Sequence, residues 1–258
     1  MKPSVFLAEL SWVEAARRIA GGAPVFLPVG ATEQHGHHMA MNVDLVIPTA
    51  IAERVAASVG GLVAPGLAYG CRSQPRTGGG SAFAGTVNIT AHTFSLLVKD
   101  VICDLYRQKV RKIVVLNGHY ENIGPSVEGI ELALDAIGRD TADCLTILRF
   151  DQWDMIRGET LAKVFPDGYP GIELEHASVL ETSMMMALRP DLVRLENALH
   201  DGPADFEPYD RYPKPADGVP PSGVLSLTAG SSAEKGGWLL ADCESRIAGI
   251  VRREFHLR

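Results

Sequence analysis

Hydrophobic positions along the chain fall into two alternating textures. Short apolar runs read as strands buried on both faces: Ala23-Pro24-Val25-Phe26-Leu27-Pro28, Leu62-Val63-Ala64, Lys112-Ile113-Val114-Val115-Leu116 and Cys144-Leu145-Thr146-Ile147-Leu148. Between them the apolar residues recur at helical spacing. Phe94, Leu97, Val98, Val101, Ile102 and Leu105 predict a helix from Ala91 to Gln108, and Val127, Ile130, Leu134 and Ile137 mark the next. Ala177, Leu180, Met184, Ala187 and Leu188 form another stripe, ending before Pro190. Leu240, Cys243, Ile247, Ile250 and Val251 carry a closing helix from about Ala233 to Phe255. A capping-box spacing, Ser11 to Glu14, opens a short helix from Glu14 to Ile19, and Pro48 to Ser58 reads as a helix stopped by Gly60-Gly61. This alternation predicts an α/β fold, a single layered α/β/α domain over residues 1–258 with a mostly parallel sheet.

Other stretches break the rhythm. From Trp153 to His176 the texture is irregular, and His200 to Pro221, dense in Pro, Asp and Tyr, reads as an extended surface arm suited to contacts between subunits. A long breaker-rich loop runs from Pro65 to Gly85 and holds Gly78-Gly79-Gly80. It lacks the Gly-Lys-Ser/Thr ending of a P-loop and the third glycine of a dinucleotide fingerprint. Close backbone approach to a small ligand, or a plain tight turn, is the better reading.

Composition removes several function classes. A formal net charge of −7, with no basic stripe, argues against a nucleic-acid partner. Nothing in the chain reads as a signal peptide or as a run long enough to span a bilayer. Cys71, Cys103, Cys144 and Cys243 form no C-x-x-C pair, and Cys103 and Cys243 fall in apolar helical stripes, which suits a reducing cytoplasm.

The chemistry concentrates at two predicted strand ends. Glu33 and His35 follow the first strand two residues apart, so on extended backbone both side chains leave the same face. Asp44 comes shortly after, and His119 and Glu121 repeat the spacing within Asn117-Gly118-His119-Tyr120-Glu121-Asn122. Two imidazoles and three carboxylates exceed one four-coordinate zinc but suit two divalent ions sharing a bridging carboxylate. Such a pair, about 3.5–4 Å apart, activates a bridging hydroxide and polarises a carbonyl, which is the chemistry of amide hydrolysis. Taken singly, Asp44 also reads as a helix N-cap, Glu121 as a first-turn carboxylate and His119 as a core histidine. His37 and His38 fit neighbours of the ions or solvent-facing positions, and His92, His200 and His256 fit structural or surface roles.

The leaving nitrogen needs a proton. His176 is the candidate general acid/base, with Glu175 or Glu173 orienting it. Glu181 fits either a supporting carboxylate or a charged helix face. The competing class is a binding or assembly protein in which an ion is only structural.

These residues carry a resemblance. Pro28-Val29-Gly30-Ala31-Thr32-Glu33-Gln34-His35-Gly36-His37-His38, Met41-Asn42-Val43-Asp44 and Asn117-Gly118-His119-Tyr120-Glu121-Asn122 resemble the motifs of the metal-dependent creatininase family. The likeness extends through Ser73-Gln74, Gly78-Gly79-Gly80, Trp153-Asp154, Glu175-His176 and Glu181-Thr182-Ser183. It implies zinc or manganese, one ion on Glu33, Asp44 and His119 and the other on His35, Asp44 and Glu121. It also implies proton transfer by His176 backed by Glu175, and a substrate pocket lined by Tyr120, Trp153 and Thr77. The usual assembly of the family is a homohexamer. The reaction implied is hydrolysis of a small cyclic amide, creatinine to creatine first, with another lactam, imidazolone or N-formyl amide as alternative. The chain departs from the pattern at Ile172-Glu173, where the family has Trp-Asp, and at Thr77, where it has serine. Those departures point to the same chemistry in a pocket of different shape.

Overall fold

The structure, a computed structural model, describes residues 4–139, 144–199, 201–213 and 218–257. Four strands, β1 (Val25–Val29), β2 (Leu62–Val63), β3 (Lys112–Asn117) and β4 (Thr146–Asp151), form a parallel sheet in the order β2-β1-β3-β4. Val25 stands opposite Ile113 and Val29 opposite Asn117, so β1 and β3 end side by side. β2 lies to one side of β1 and β3 to the other, so the gap beyond their carboxyl ends is the topological switch point of the sheet.

Helices cover both faces, as the alternating pattern predicts. Phe26, Val114 and Leu116 face Ile47, Ile51 and Val55 of α2 (Val43–Val59) and Leu240, Ile247 and Val251 of the closing helix (Ala233–Glu254). Val25, Leu27, Ile113 and Val115 face Phe94, Val98 and Ile102 of α3 (Ala91–Arg107), with Ala133 of α4 (Ile123–Ile137) behind them. Each fully buried Leu, Ile or Val contributes about 1.5–3 kcal/mol through removal from water, so the two apolar layers hold the strand ends rigidly in place. The first helix, α1 (Trp12–Ala20), is capped as expected by Ser11, whose hydroxyl accepts the Glu14 amide. Among the described residues no helix is long and apolar enough to cross a membrane.

Three sequence expectations change. α2 begins at Val43 rather than Pro48, with Asn42 at its N-cap. Pro48 therefore lies inside the helix, where it has no amide to offer the carbonyl of Asp44. That carbonyl sits against the backbone of Gly30 and Gly118, the residues that follow β1 and β3; a Cβ on either would fall 2.3 Å from it. The two glycines thus let the first turn of α2 drop into the switch point, carrying Asp44 with it. Second, the irregular stretch after Trp153 contains α5 (Gly158–Val164). It precedes α6 (Val179–Leu188), and the closing helix is accordingly α7. Third, the Pro-rich arm folds back on the chain: Phe206, Tyr209, Tyr212 and Val219 enclose a cavity of about 510 Å³ with Pro75 and Arg76. His200 and residues 214–217 of that arm lie outside the described residues.

Candidate active site

The ends of β1 and β3 are built to present side chains. Asn117, the last residue of β3, donates from Nδ2 to the His119 carbonyl and to Asp151 Oδ1, and its Oδ1 accepts the His119 amide. Asn122 donates to the Gly30 carbonyl while accepting the Cys71 amide. The two asparagines that bracket the second motif therefore pin three loops together. The residues between them have one rotamer-restricting frame rather than a free turn.

Within this frame Glu33, His35, Asp44 and His119 are at most 3% exposed. His119 Nδ1 lies 3.1 Å from Glu33 Oε2 and 3.0 Å from Asp44 Oδ2. His35 Nε2 lies 3.0 Å from the other Asp44 oxygen, Oδ1, and 3.6 Å from Glu181 Oε2. Asp44 thus faces one imidazole with each oxygen, as expected of a bridging carboxylate. The remote ring nitrogens are held: His35 Nδ1 is 3.1 Å from the Glu33 carbonyl, and His119 Nε2 is 2.9 Å from the Cys71 carbonyl. Each carbonyl takes the ring N–H, which turns the lone pair of the other nitrogen toward the carboxylates, the arrangement of a metal-ligating histidine.

Those lone pairs and carboxylates cannot satisfy one another. Among the described residues, Glu33 Oε1, His35 Nε2, Asp44 Oδ2 and Glu121 Oε2 are buried without a hydrogen-bond partner. Burial opposes charge on His35, yet Asp44 and Glu181 hold its pKa well above the ordinary value. At His119 the same opposition is overcome by Glu33 and Asp44. The carboxyl of Asp44 is disfavoured by burial but driven far below the usual range by His35 and His119. A donor set of nitrogen lone pairs and carboxylate oxygens that calls for positive charge fits divalent cations. Glu33, Asp44 and His119 form one group of metal-ligating size, and His35, His176 and Glu181 form another.

Glu121 sits differently from its expected place beside His35. Its Oε2 lies 3.4 Å from His119 Nε2, the nitrogen on the far side of that ring, and its Oε1 accepts the Gln74 amide at 2.6 Å and the Thr77 hydroxyl. Glu181 takes the position near His35, while its Oε2 also accepts the Ala177 amide. Spacing alone places Glu121 at the strand end; the turn Tyr120–Asn122 decides which side of His119 it reaches.

His176 joins the group, its ring centroid 4.5 Å from that of His35. Its expected partner does not hold it. Glu175 accepts the Leu180 amide with Oε2, capping the start of α6, and its buried Oε1 has no partner. Burial pushes the Glu175 carboxyl up to about 8, against the Leu180 hydrogen bond. The His176 ring instead meets Gln34 through Nε2, a residue to which the sequence reading assigned no role. The signal available was an uncharged amide between two ligands, on the opposite face of an extended segment. His37 is exposed, as one of the two readings of that pair has it, and buried His38 lies 2.9 Å from the Thr182 hydroxyl.

A cavity of about 40 Å³ opens directly above the cluster, lined by Glu33, Asp44, His119, His176, Glu175 and Glu181 below. Thr77, Tyr120, Trp153, Ile172 and Glu173 close it from the outside. Tyr120 and Trp153 stack with ring centroids 6.0 Å apart. Five expected substrate-side residues therefore surround one opening. The glycine-rich loop serves this enclosure: a Cβ on Gly80 would fall 2.4 Å from Glu33 Oε1, and one on Gly78 would meet the His176 ring at 2.9 Å. Its glycines allow close approach to site side chains, not a phosphate cradle.

Comparison with known proteins gives a consistent picture. Residues 8–251 match the family model described as creatinine amidohydrolase. The chain is 44% identical to the creatinine amidohydrolase of Pseudomonas putida over 257 residues, 99% of each chain. A crystal structure of creatininase superposes with a TM-score of 0.96 at 43% identity, covering 98% of this chain and 99% of that one. A manganese form of creatininase (43% identical) and a Glu-to-Gln variant solved in a Zn-Zn form and with creatine (42%) each superpose with a TM-score of 0.95, covering 98% of this chain and 99% of theirs. More distant is the mycofactocin precursor peptide peptidase of Mycobacterium tuberculosis, 28% identical over 74% of this chain and 68% of its own.

Proposed function

The chain belongs to the creatininase family, and on that premise we propose that it hydrolyses creatinine to creatine with two divalent cations, zinc or manganese. The observation that carries the reading is the set of orphaned buried acceptors, two of them on His35 and Asp44, converging beneath a small enclosed cavity. Glu33, Asp44 and His119 would hold one cation. His35 and Asp44 would hold the other, with Glu121 or Glu181 completing its set. Bound there, the cations would supply Lewis acidity, activating water and polarising the amide carbonyl.

The chain's own residues do the rest. Tyr120 and Trp153 offer aromatic faces to a flat ring, Ile172 bounds its apolar edge, and the enclosure excludes competing solvent. Thr77 lines the cavity and donates to Glu121, fixing that carboxylate beside His119. His176 carries the proton to the ring nitrogen as the C–N bond opens, from the ring atom that Gln34 leaves free. The product keeps both fragments in one molecule, as ring opening requires.

We also propose a single creatininase-like domain over residues 1–258, consistent with a family match spanning 8–251. A cytoplasmic setting accords with four cysteines that are all unpaired thiols. A homohexamer accords with the exposed Tyr209 and Tyr212 of the arm. The discriminating experiment measures creatine release from creatinine beside a panel of lactams, imidazolones and formamides. Turnover of creatinine that stops on chelation supports the proposal; turnover of another panel member alone transfers the same chemistry to that substrate. A metal-free protein of full activity overturns it.

A further inference from the structure

We infer that Gln34 is the residue that positions His176 for proton transfer, fixing which ring nitrogen faces the substrate. The inference rests on the reading of His176 as the proton carrier. The geometry is closed around Gln34, which is 5% exposed. Its Nε2 lies 3.1 Å from the Gly78 carbonyl, 2.8 Å from the Gly223 carbonyl and 2.9 Å from His176 Nε2. Its Oε1 accepts the Gly36 amide at 2.8 Å, and its backbone carbonyl lies 2.9 Å from the same His176 nitrogen.

An amide nitrogen has two hydrogens, so these contacts admit few assignments. If His176 Nε2 carries its hydrogen and donates to the Gln34 carbonyl, both Gln34 hydrogens go to the Gly78 and Gly223 carbonyls, and every donor has an acceptor. If His176 Nε2 is the bare nitrogen, one Gln34 hydrogen must turn to it. A buried carbonyl then loses its donor and the Gln34 carbonyl loses the ring. Leaving such groups unpaired is unfavourable by about 1–3 kcal/mol each. The first arrangement sets two N–H groups 2.9 Å apart but keeps all three carbonyls paired, whereas the second leaves two of them bare. The first is therefore favoured, and it makes Nδ1 the nitrogen that takes and gives a proton.

The surroundings prevent escape from that state. Gly78 packs its backbone on the imidazole so closely that a Cβ would meet three ring atoms at 2.9 Å, and the His35 ring packs 4.5 Å away between centroids. Gly223 presses on the Gln34 amide, where a Cβ would lie 2.0 Å from Oε1. Gln34 therefore joins three separate segments, the β1 loop, the glycine loop and the stretch leading to α7, around one ring edge. Glu175, by contrast, is committed to the α6 amide.

The test compares Gln34→Leu, which keeps the volume but removes all polar contacts of the side chain, with Gln34→Glu, which keeps the Gly36 acceptor and loses the two donors. Both are made in the zinc-loaded enzyme, with bound metal counted and thermal unfolding recorded. The expected result is a fall in kcat of about 10- to 100-fold with KM for creatinine within about threefold, because a displaced acid/base group loses rate rather than substrate affinity. The direct readout is the nitrogen NMR spectrum of histidine-labelled protein, with the His176 ring assigned by its absence in His176→Asn. The wild-type ring shows hydrogen on Nε2, held by the backbone carbonyl of Gln34, and in both variants the ring signals broaden as His176 loses the fixed place that the Gly78 and Gly223 contacts of the Gln34 amide give it. Hydrogen on Nδ1 in the wild type, variant ring signals as sharp as those of the wild type, or a rate loss matched by loss of bound metal, overturns the inference. The spectrum remains decisive even if the wild-type protein turns over no creatinine, which separates failure of this inference from failure of the functional reading.

Discussion

The floor and the rim of the cavity are built from different kinds of structure. The floor, Glu33, His35, Asp44 and His119, follows the strand ends and opens α2, at most 3% exposed, with both its imidazoles tied to backbone carbonyls. The rim sits on single 3-10 turns: Thr77 on Pro75–Thr77, Tyr120 on Tyr120–Asn122, Trp153 on Gln152–Met155, Ile172 and Glu173 on Ile172–Leu174. Such turns carry few backbone hydrogen bonds, and Tyr120 is 37% exposed. The floor is over-determined by the fold, so the chemistry it supports is fixed. The rim can change shape or residue without disturbing the sheet, which makes it the place where substrate choice is written.

The severest way to break the floor is Asp44→Ala. Both carboxylate oxygens face imidazoles, so no other side chain can replace the bridge. Activity should fall by about 10³-fold or more, equivalent to the several kcal/mol that paired cations supply to a developing charge. Metal analysis after dialysis should show loss of bound ions, and chelation of the wild type should reproduce the loss of rate. Retained metal at full stoichiometry would place the bridge elsewhere.

Glu175 tests the boundary between the two regions through stability. Its carboxyl is raised by burial to about 8 from the ordinary 4.5, so between those values the folded state holds a proton that the unfolded chain has lost. The stabilising contribution is full below the unfolded pKa and disappears as pH rises through the folded one. Stability should therefore decline between about pH 4.5 and 8, by on the order of 1–4 kcal/mol. Glu175→Gln keeps an oxygen for the Leu180 amide and removes the titration, so chemical denaturation at several pH values should show the decline flattened. Parallel curves for variant and wild type would mean that Glu175 ionises in the fold at its ordinary pH.

The floor was also the more legible region in the sequence. Matched Glu-x-His and His-x-Glu pairs after continuous apolar runs place Glu33, His35 and His119 at one switch point, because strand periodicity and parallel topology leave few alternatives, while Asp44 arrives on α2. What failed were choices that a local pattern cannot make. Pro48 looked like a helix start because its interior cost is offset only by the close approach of Gly30 and Gly118, a tertiary fact. The resemblance set Glu121 with His35, and adjacency set Glu175 with His176, whereas in the structure Glu121 accepts the Gln74 amide and Glu175 the Leu180 amide. Gln34 carried no charge to attract notice, and its partner His176 lies 142 positions away. The seven residues of α5 are too few for the periodicity to stand out.

The smallest effect should come from the rim, and it is the one that tests whether the division holds. Ile172 is half-buried and lines the cavity together with the stacked Tyr120 and Trp153. Ile172→Trp places an indole over a space of about 40 Å³, adding an aromatic face for a flat ring and removing room for ring substituents. A change of this size in an apolar pocket is worth about 1–3 kcal/mol of discrimination. The ratio of kcat/KM for creatinine to that for a bulkier N-substituted lactam should rise about tenfold, which corresponds to about 1.4 kcal/mol. Bound metal should stay unchanged, because no floor residue is touched. A ratio that stays flat would remove Ile172 from the specificity surface. A loss of metal would show that rim and floor are coupled, since the turn at Ile172–Leu174 leads directly into Glu175 and His176.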